Sequence, residues 1–207
     1  QKQKRRKHMK FFVNFLSSFR IATAFAIIPT LLFNMYWTTF ILFTLGAMSD
    51  WFDGFLARKY NVCTKIGGVL DHIGDKLLVV NTFIMLAIMM PVWFVIVPVI
   101  IMICRELYIS GLREFLGTQK IEMPVPKARF SMGKIKTTLQ MISIVAFLLI
   151  FAVGTIITPE TDSRFIMYLI YVLPQIGIWG LWLSLVASVW SATQYTITFI
   201  GHMKKIK

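Results

Sequence analysis

Acidic residues are scarce in this sequence: nine Asp and Glu stand against 22 Lys and Arg in 207 residues, for a net charge of +13. Charge of either sign is thin, at 15% of residues, where soluble domains carry about 25%. Together with 57% hydrophobic residues and a mean hydropathy of +0.71, that shortage excludes an ordinary soluble globular domain. Cysteine is scarcer still. Cys63 falls in a basic stretch and Cys104 inside an apolar run, which argues against a disulfide framework and gives neither thiol a metal-ligand spacing. A cleavable signal peptide is also missing. The first apolar run follows a basic segment but leads straight into further apolar runs without an A-x-A site, so the first helix is expected to be retained.

What the chain has in abundance is apolar runs of bilayer length. They recur near 11–33, 35–57, 68–90, 91–112, 134–157 and 165–200, and about 20 apolar residues suffice to span a membrane as a helix. The expected fold is therefore all-α, a polytopic integral membrane protein with six transmembrane helices, the last long enough to be tilted or broken at Pro174. A basic tail over 1–10, one membrane domain over 11–201 and a basic tail over 202–207 complete the organisation. The placement of positive charge adds an orientation. Six of the first ten residues are Lys or Arg, and further basic residues occupy 58–65, 113–136 and 204–207, whereas the alternate connections near 34, 90 and 155–165 hold only Arg164. This alternation follows the positive-inside pattern and puts both termini and the two basic loops in the cytosol of a cell that carries the protein in its cytoplasmic (inner) membrane. The same placement argues against nucleic acid as a partner and for anionic membrane lipids, which the tail KQKRRKHMK suits. Trp37 and Trp93 sit beside the sparse outer connections, where interfacial aromatics are expected.

Within this apolar chain, the stretch from Asp50 to Asp75 holds four of the nine acids. Asp50 and Asp53 are three apart and Asp71 and Asp75 four apart, so on helices each pair shares a face. A carboxylate at mid-bilayer costs about 2.5–3.5 kcal/mol on insertion scales, so four together must neutralise something. A pair of divalent cations is the economical candidate. Arg58 and Lys65 flank the acids and suit a phosphate-bearing ligand bridged to such metals. A single structural metal is the simpler alternative, but four acids with adjacent cations favour two-metal phosphoryl chemistry. Gly46, Ala47, Ser49, Gly54 and Ala57, and then Gly67, Gly68 and Gly74, leave helix faces bare, for close helix packing or for a ligand against the backbone. In the first run Asn14, Ser17 and Arg20 can share a face. Taken residue by residue, they read as helix-start capping plus an arginine snorkelling to the interface.

The string Asp50-x2-Asp53-Gly54-x2-Ala57-Arg58-x8-Gly67-x3-Asp71-x3-Asp75 resembles the signature of the CDP-alcohol phosphotransferase family at each fixed position. The resemblance implies a six-helix membrane enzyme, usually a homodimer, in which an alcohol displaces CMP from a CDP-activated lipid with the help of Mg2+ or Mn2+. It implies that Asp50, Asp53, Asp71 and Asp75 hold two metals and that Asp75 doubles as general base on the incoming hydroxyl. It also places Gly54, Ala57, Arg58 and Gly67 along the CDP site, with Thr64, Asn14 and Ser17 as nucleotide-side contacts. The chain departs from the commonest pattern, Asp-Pro-x-Ala-Asp, by carrying Asp71-His72-Ile73-Gly74-Asp75, which removes a preset helix-start φ. His72 reads as a hydrogen-bonding neighbour of the acids rather than a ligand, and Lys76 as a charge balancer.

A second informative region runs from Arg105 to Lys136. Arg105 and Arg113 are eight apart and lie within about 80° of each other around a helix axis. Glu106 and Glu114 could pair with the nearby cations, and Arg113 and Lys134 could simply snorkel. Arg105 lies deeper in its apolar run, where an anionic partner is expected. The strings R-E-x3-SGLRE and GKIKTT resemble those of the bacterial phosphatidylglycerophosphate synthases within the family. That narrower resemblance covers roughly residues 10–140. It implies that Arg105, Arg113, Lys134 and Lys136 receive the phosphate of sn-glycerol 3-phosphate, which reacts with CDP-diacylglycerol to give phosphatidylglycerophosphate and CMP. The alternatives are another acceptor on the same fold (inositol phosphate, serine or phosphatidylglycerol) and, more remotely, a membrane prenyltransferase or a cation transporter. The 21-residue step from Asp50 to Asp71 is short for the widely separated Asp-rich motifs of prenyltransferases. Transport would not require Gly54, Ala57, Arg58 and Gly67 at these intervals. No motif is legible in the last third, whose Trp and Phe content suits lipid contact.

Overall fold

The structure, a computed structural model, describes the backbone of residues 2–60, 65–118, 132–157 and 164–206, and the side chains of 15–49, 68–70, 72–117, 133–157 and 164–201. The described residues form six helices and no strand: α1 (Lys2–Leu32), α2 (Tyr36–Tyr60), α3 (Lys65–Met89), α4 (Trp93–Thr118), α5 (Met132–Gly154) and α6 (Arg164–Ile206). Each apolar run of the sequence corresponds to one of them. Among the described residues, five stretches are long and apolar enough to cross a bilayer: Phe15–Leu32, Gly68–Met89, Trp93–Gly117, Gly133–Gly154 and Arg164–Gly201. The chain is thus an all-helical polytopic membrane protein. One detail differs from expectation. α1 begins at Lys2, ahead of the apolar run, because Lys, Arg and Gln are good helix formers and nothing in the basic segment breaks the helix. Of the two alternatives for the last run, α6 takes the unbroken one, a single helix with Pro174 inside it.

The α1–α2 connection is set by local chemistry. Asn34 has φ 58°, the left-handed conformation that Asn tolerates better than other non-glycine residues. The amide of Met35 donates to the carbonyl of Thr30 at 2.8 Å and that of Asn34 to Leu31 at 3.0 Å. These are the paired bonds of a Schellman cap, which satisfies carbonyls that the end of α1 would otherwise leave open.

The chain forms two compact units, Gln1–Met89 with Ile144–Pro174, and Met90–Ser143 with Gln175–Lys207. In the first, α1, α2 and α3 pack on one another. Gly46 is a point of close approach: a Cβ built there would lie 3.0 Å from Thr23 Oγ1 and 3.2 Å from Leu78 Cδ2. Small residues allow such approaches in membranes, where dispersion contacts rather than water drive helix association. Asn81 Nδ2 adds a 3.0 Å bond to the carbonyl of Ala24, tying α3 to α1. In the second unit Gly177 and Gly180 do similar work for α6 against α5. Ser143 Oγ donates to the Gly177 carbonyl at 2.6 Å, and a Cβ at Gly180 would lie 3.2 Å from Ser143 Cβ. Trp182 Nε1 donates to the carbonyl of Phe94 on α4 at 3.1 Å.

Burial departs from that of a water-soluble protein, with polar side chains inside beside the apolar core and large apolar ones outside. Ser17, Arg20, Thr23, Thr39, Ser49, Thr82, Gln140, Ser143, Ser184 and Ser188 are buried, whereas Phe25, Ile100, Trp179, Val186 and Trp190 are exposed. Hydrocarbon solvates the apolar side chains and cannot bond the polar ones, which turn inward to find partners. The Gly46 contact yields an expected outcome. Gly46→Val should cost about 1–3 kcal/mol of stability through overpacking. Gly68→Ala, where an added Cβ meets nothing within 4 Å, should stay within about 0.5 kcal/mol. Thermal unfolding in detergent compares the two.

Candidate active site

The signature is carried by two helices of the first unit, positions 50, 53, 54, 57 and 58 on α2 and positions 67, 71 and 75 on α3, and positions 14, 17 and 20 lie on α1 of the same unit. Helical backbone at 50–53 and 71–75 agrees with the spacing that set each acid pair on one face. The side chains of Asn14, Asp50, Asp53, Gly54, Ala57, Arg58, Gly67 and Asp71 lie outside the described residues, as does Thr64 altogether. Of the expected site residues of this unit, Ser17 and Asp75 are described. Ser17 is buried. Asp75 is part-exposed, and its Oδ1 accepts a charge-assisted hydrogen bond from Arg20 Nη1.

Arg20 corrects a sequence expectation. It does not snorkel: its side chain has no exposed surface, and besides Asp75 it reaches Ser49 Oγ on α2 through Nε at 3.4 Å. A guanidinium sealed among three helices is tolerable only with an anion beside it. Sequence spacing could not reveal this, because the partner is 55 residues away. His72 is exposed.

Four carboxylates carried on α2 and α3 would supply only oxygen donors, a chemistry that fits a hard cation such as Mg2+ or Mn2+ better than a soft one. Among the described residues no three His, Cys, Asp or Glu side chains converge as a metal site. Asp75 is the one acid of the four whose side chain they include.

The basic residues expected to receive an acceptor phosphate belong to the second unit, and the structure engages three of the four. Arg105, on α4, donates from Nη1 to Glu106 Oε2 at 3.0 Å, from Nε to the Ser188 carbonyl at 3.1 Å and from Nη2 to Ser191 Oγ at 3.0 Å. Lys136, on α5, donates to the same Glu106 Oε2 at 2.5 Å. Two cations from different helices therefore meet on one carboxylate oxygen, and both are largely withdrawn from solvent. Arg113 is exposed. It donates to Tyr195 OH at 3.0 Å with its Cζ 5.1 Å from that ring's centroid, a distance suited to cation–π attraction. Lys134 is exposed.

The last third, unreadable as sequence, contributes here. Ser188, Ser191 and Tyr195 lie at i, i+3 and i+7 on α6, one face of the helix, and that face meets Arg105 and Arg113. Ser188 Oγ is the buried side-chain polar atom without a hydrogen-bond partner among the described residues. The available signal was that S-x-x-S-x-x-x-Y spacing. It is too common in membrane helices to single out without its partners.

Comparison with known proteins identifies the family. Residues 11–190 match the profile of the CDP-alcohol phosphatidyltransferase family. Curated relatives named CDP-diacylglycerol–glycerol-3-phosphate 3-phosphatidyltransferase include one from Blochmanniella floridana, 33% identical over 65% of this chain and 71% of its own length. One from Rickettsia bellii is 40% identical over 63% of this chain and 71% of its own. A third, from Arabidopsis thaliana and numbered 2, is 33% identical over 85% and 74%. No solved structure matches the chain. With its signature on α2 and α3 and the family profile running from α1 into α6, the chain belongs to the CDP-alcohol phosphatidyltransferase family.

Proposed function

We propose that the protein transfers the phosphatidyl group of CDP-diacylglycerol to sn-glycerol 3-phosphate, giving phosphatidylglycerophosphate and CMP. The observation that carries the choice of acceptor is the meeting of Arg105 and Lys136 on the Glu106 carboxylate. A position where two buried cations hold one oxyanion can hold a phosphate oxygen by the same charge-assisted bonds. An uncharged alcohol would make poor use of it. The names of the relatives support the same acceptor.

In this reading Arg105, Arg113, Lys134 and Lys136 bind and orient the acceptor phosphate. Asn14, Ser17, Gly54, Ala57, Arg58, Thr64 and Gly67 accommodate the CDP moiety, the glycines and alanine by letting it approach the backbone. Asp50, Asp53, Asp71 and Asp75 would hold two divalent cations, Mg2+ or Mn2+, which when bound neutralise the diphosphate and stabilise departing CMP. Asp75 accepts the proton of the attacking hydroxyl. The new bond joins that oxygen to the phosphorus bearing the diacylglycerol, and the bond from this phosphorus to CMP breaks. The protein works as a homodimer in the cytoplasmic membrane, with six spans, both termini cytosolic and the reaction near the cytosolic face. The charge asymmetry of the loops supports that orientation.

Three outcomes are expected. Asp75→Asn should lower turnover about 10²–10⁴-fold, the usual range for a lost general base, with CDP-lipid binding largely kept. Asp50→Asn or Asp71→Asn should weaken metal and CDP-lipid binding together. Steady-state kinetics and Mn2+ titration separate these, and near-wild-type turnover in Asp75→Asn would remove the base assignment.

Arg113→Ala should raise KM for glycerol 3-phosphate about ten- to a hundredfold, the equivalent of roughly 1.5–3 kcal/mol for a charge-assisted contact, with little change in KM for CDP-diacylglycerol. Arg105→Ala should do the same and also lower stability, because Arg105 ties α4 to α6. Release of labelled CMP across a panel of acceptors is the decisive assay. Equal use of glycerol and glycerol 3-phosphate would reassign these cations.

Orientation is tested by Lys59→Cys and Glu160→Cys in a background without Cys63 and Cys104. An impermeant thiol reagent should label them from opposite sides of the membrane, and same-side labelling would overturn the six-span topology.

A further inference from the structure

A buried arginine is an expensive residue in a membrane helix, and Arg20 sits in the span Phe15–Leu32 with no exposed surface. Its guanidinium is held by more than one helix. Nη1 bonds Asp75 Oδ1 on α3 and Nε reaches Ser49 Oγ on α2. The Ser49 hydroxyl donates to the Gly46 carbonyl at 2.7 Å, so that its oxygen is left to accept from Arg20. The backbone of Arg20 is fixed as well, its carbonyl taking a 2.8 Å bond from Thr23 Oγ1. Beside Asp75, Gly74 lies flush against the arginine: a Cβ there would be 3.4 Å from Arg20 Cδ and 3.6 Å from Arg20 Cβ. The donor side of the Arg20–Asp75 pair is therefore sealed and over-determined. The acceptor side is not, since the Asp75 side chain is 39% exposed.

That asymmetry separates this pair from an ordinary structural ion pair, in which both members are withdrawn together. Arg20 cannot follow Asp75 toward solvent. Because a guanidinium keeps its charge at any working pH, this is a permanent cation beside Asp75, one of the four acids of the signature.

We propose that Arg20 is a positioning residue for Asp75: it fixes the orientation of the carboxylate that accepts the proton and supplies a built-in positive charge to the acid cluster. The proposal rests on the phosphatidyl-transfer reading above. It makes α1 part of the catalytic arrangement through charge and not only through nucleotide contact. Arg20 and a divalent cation draw on the same carboxylate, so the two compete, and loss of Arg20 leaves the cluster one charge more negative. The role therefore predicts opposite effects on metal binding and on turnover.

The test uses the full-length protein in detergent with Mn2+, CDP-diacylglycerol and glycerol 3-phosphate. Arg20→Met keeps length and apolar bulk and removes the charge. It should lower kcat about ten- to a hundredfold, the cost of a misplaced catalytic group. KM for both substrates should stay within about threefold. Mn2+ should bind as tightly as in the wild type or more tightly, read by titration without substrate. Arg20→Lys, which restores the charge without the fork, should recover part of the lost turnover. In an Asp75→Asn background the effect of Arg20→Met on kcat should largely vanish, because the group being positioned is gone.

Undiminished kcat in a folded Arg20→Met protein overturns the proposal. So does a parallel fall in kcat and Mn2+ affinity, which assigns Arg20 to the architecture of the metal site. Failure of both Arg20→Met and Arg20→Lys to fold assigns it to stability alone. None of these touches the proposed reaction, which fails separately if the wild type releases no CMP with any acceptor.

Discussion

The rest of this structure depends on the inability of hydrocarbon to hydrogen-bond. Once a chain this apolar is placed in a bilayer, each polar group within the spans must find its partner in the protein. The buried serines and threonines meet that demand locally, by bonding carbonyls one turn back, as Thr82 does to Leu78 and Ser184 to Leu181. Arg20 and Arg105 cannot be satisfied so cheaply. Each needs an anion and several acceptors: Arg20 finds its anion on α3, Arg105 has it in the adjacent Glu106, and both reach acceptors on other helices. The two arginines thereby become the polar centres of their respective units, and the small residues Gly46 and Gly180 matter because they let the helices come close.

The two centres differ in a way that suits different chemistry. Arg20 is paired with a part-exposed aspartate that belongs to an acid-rich signature, a setting for metal and proton. Arg105 shares Glu106 with Lys136 and reaches the Ser188 carbonyl and Ser191 hydroxyl of α6, a setting rich in donors and therefore suited to phosphate. Glu106 is the carboxylate on which Arg105 and Lys136 meet. Its negative charge also keeps two buried cations tolerable while no ligand is bound. The family profile spans the helices that carry both centres.

Much of this was readable along the chain. The membrane class, the helix positions and the acidic signature follow from hydropathy, charge placement and short-range spacing, which are properties of neighbouring residues and survive without a fold. Asp50, Asp53, Asp71 and Asp75 could be singled out because carboxylates in an apolar run are anomalous wherever they end up. Arg105 was legible for the same reason, and its need for an anion is met by the adjacent Glu106. Arg20 was not. The same residue near a membrane surface can snorkel outward or seal itself inside, and the difference lies in whether a carboxylate on another helix comes within reach. Ser188, Ser191 and Tyr195 were invisible for the complementary reason: hydroxyls are common on membrane helices, and these three acquire meaning through the arginines that long-range packing brings to their face. Local physics therefore settles where helices form and which residues are out of place in lipid. The pairing of buried charges is non-local, and it took the packed helices to choose among partners that the chain order leaves equally open.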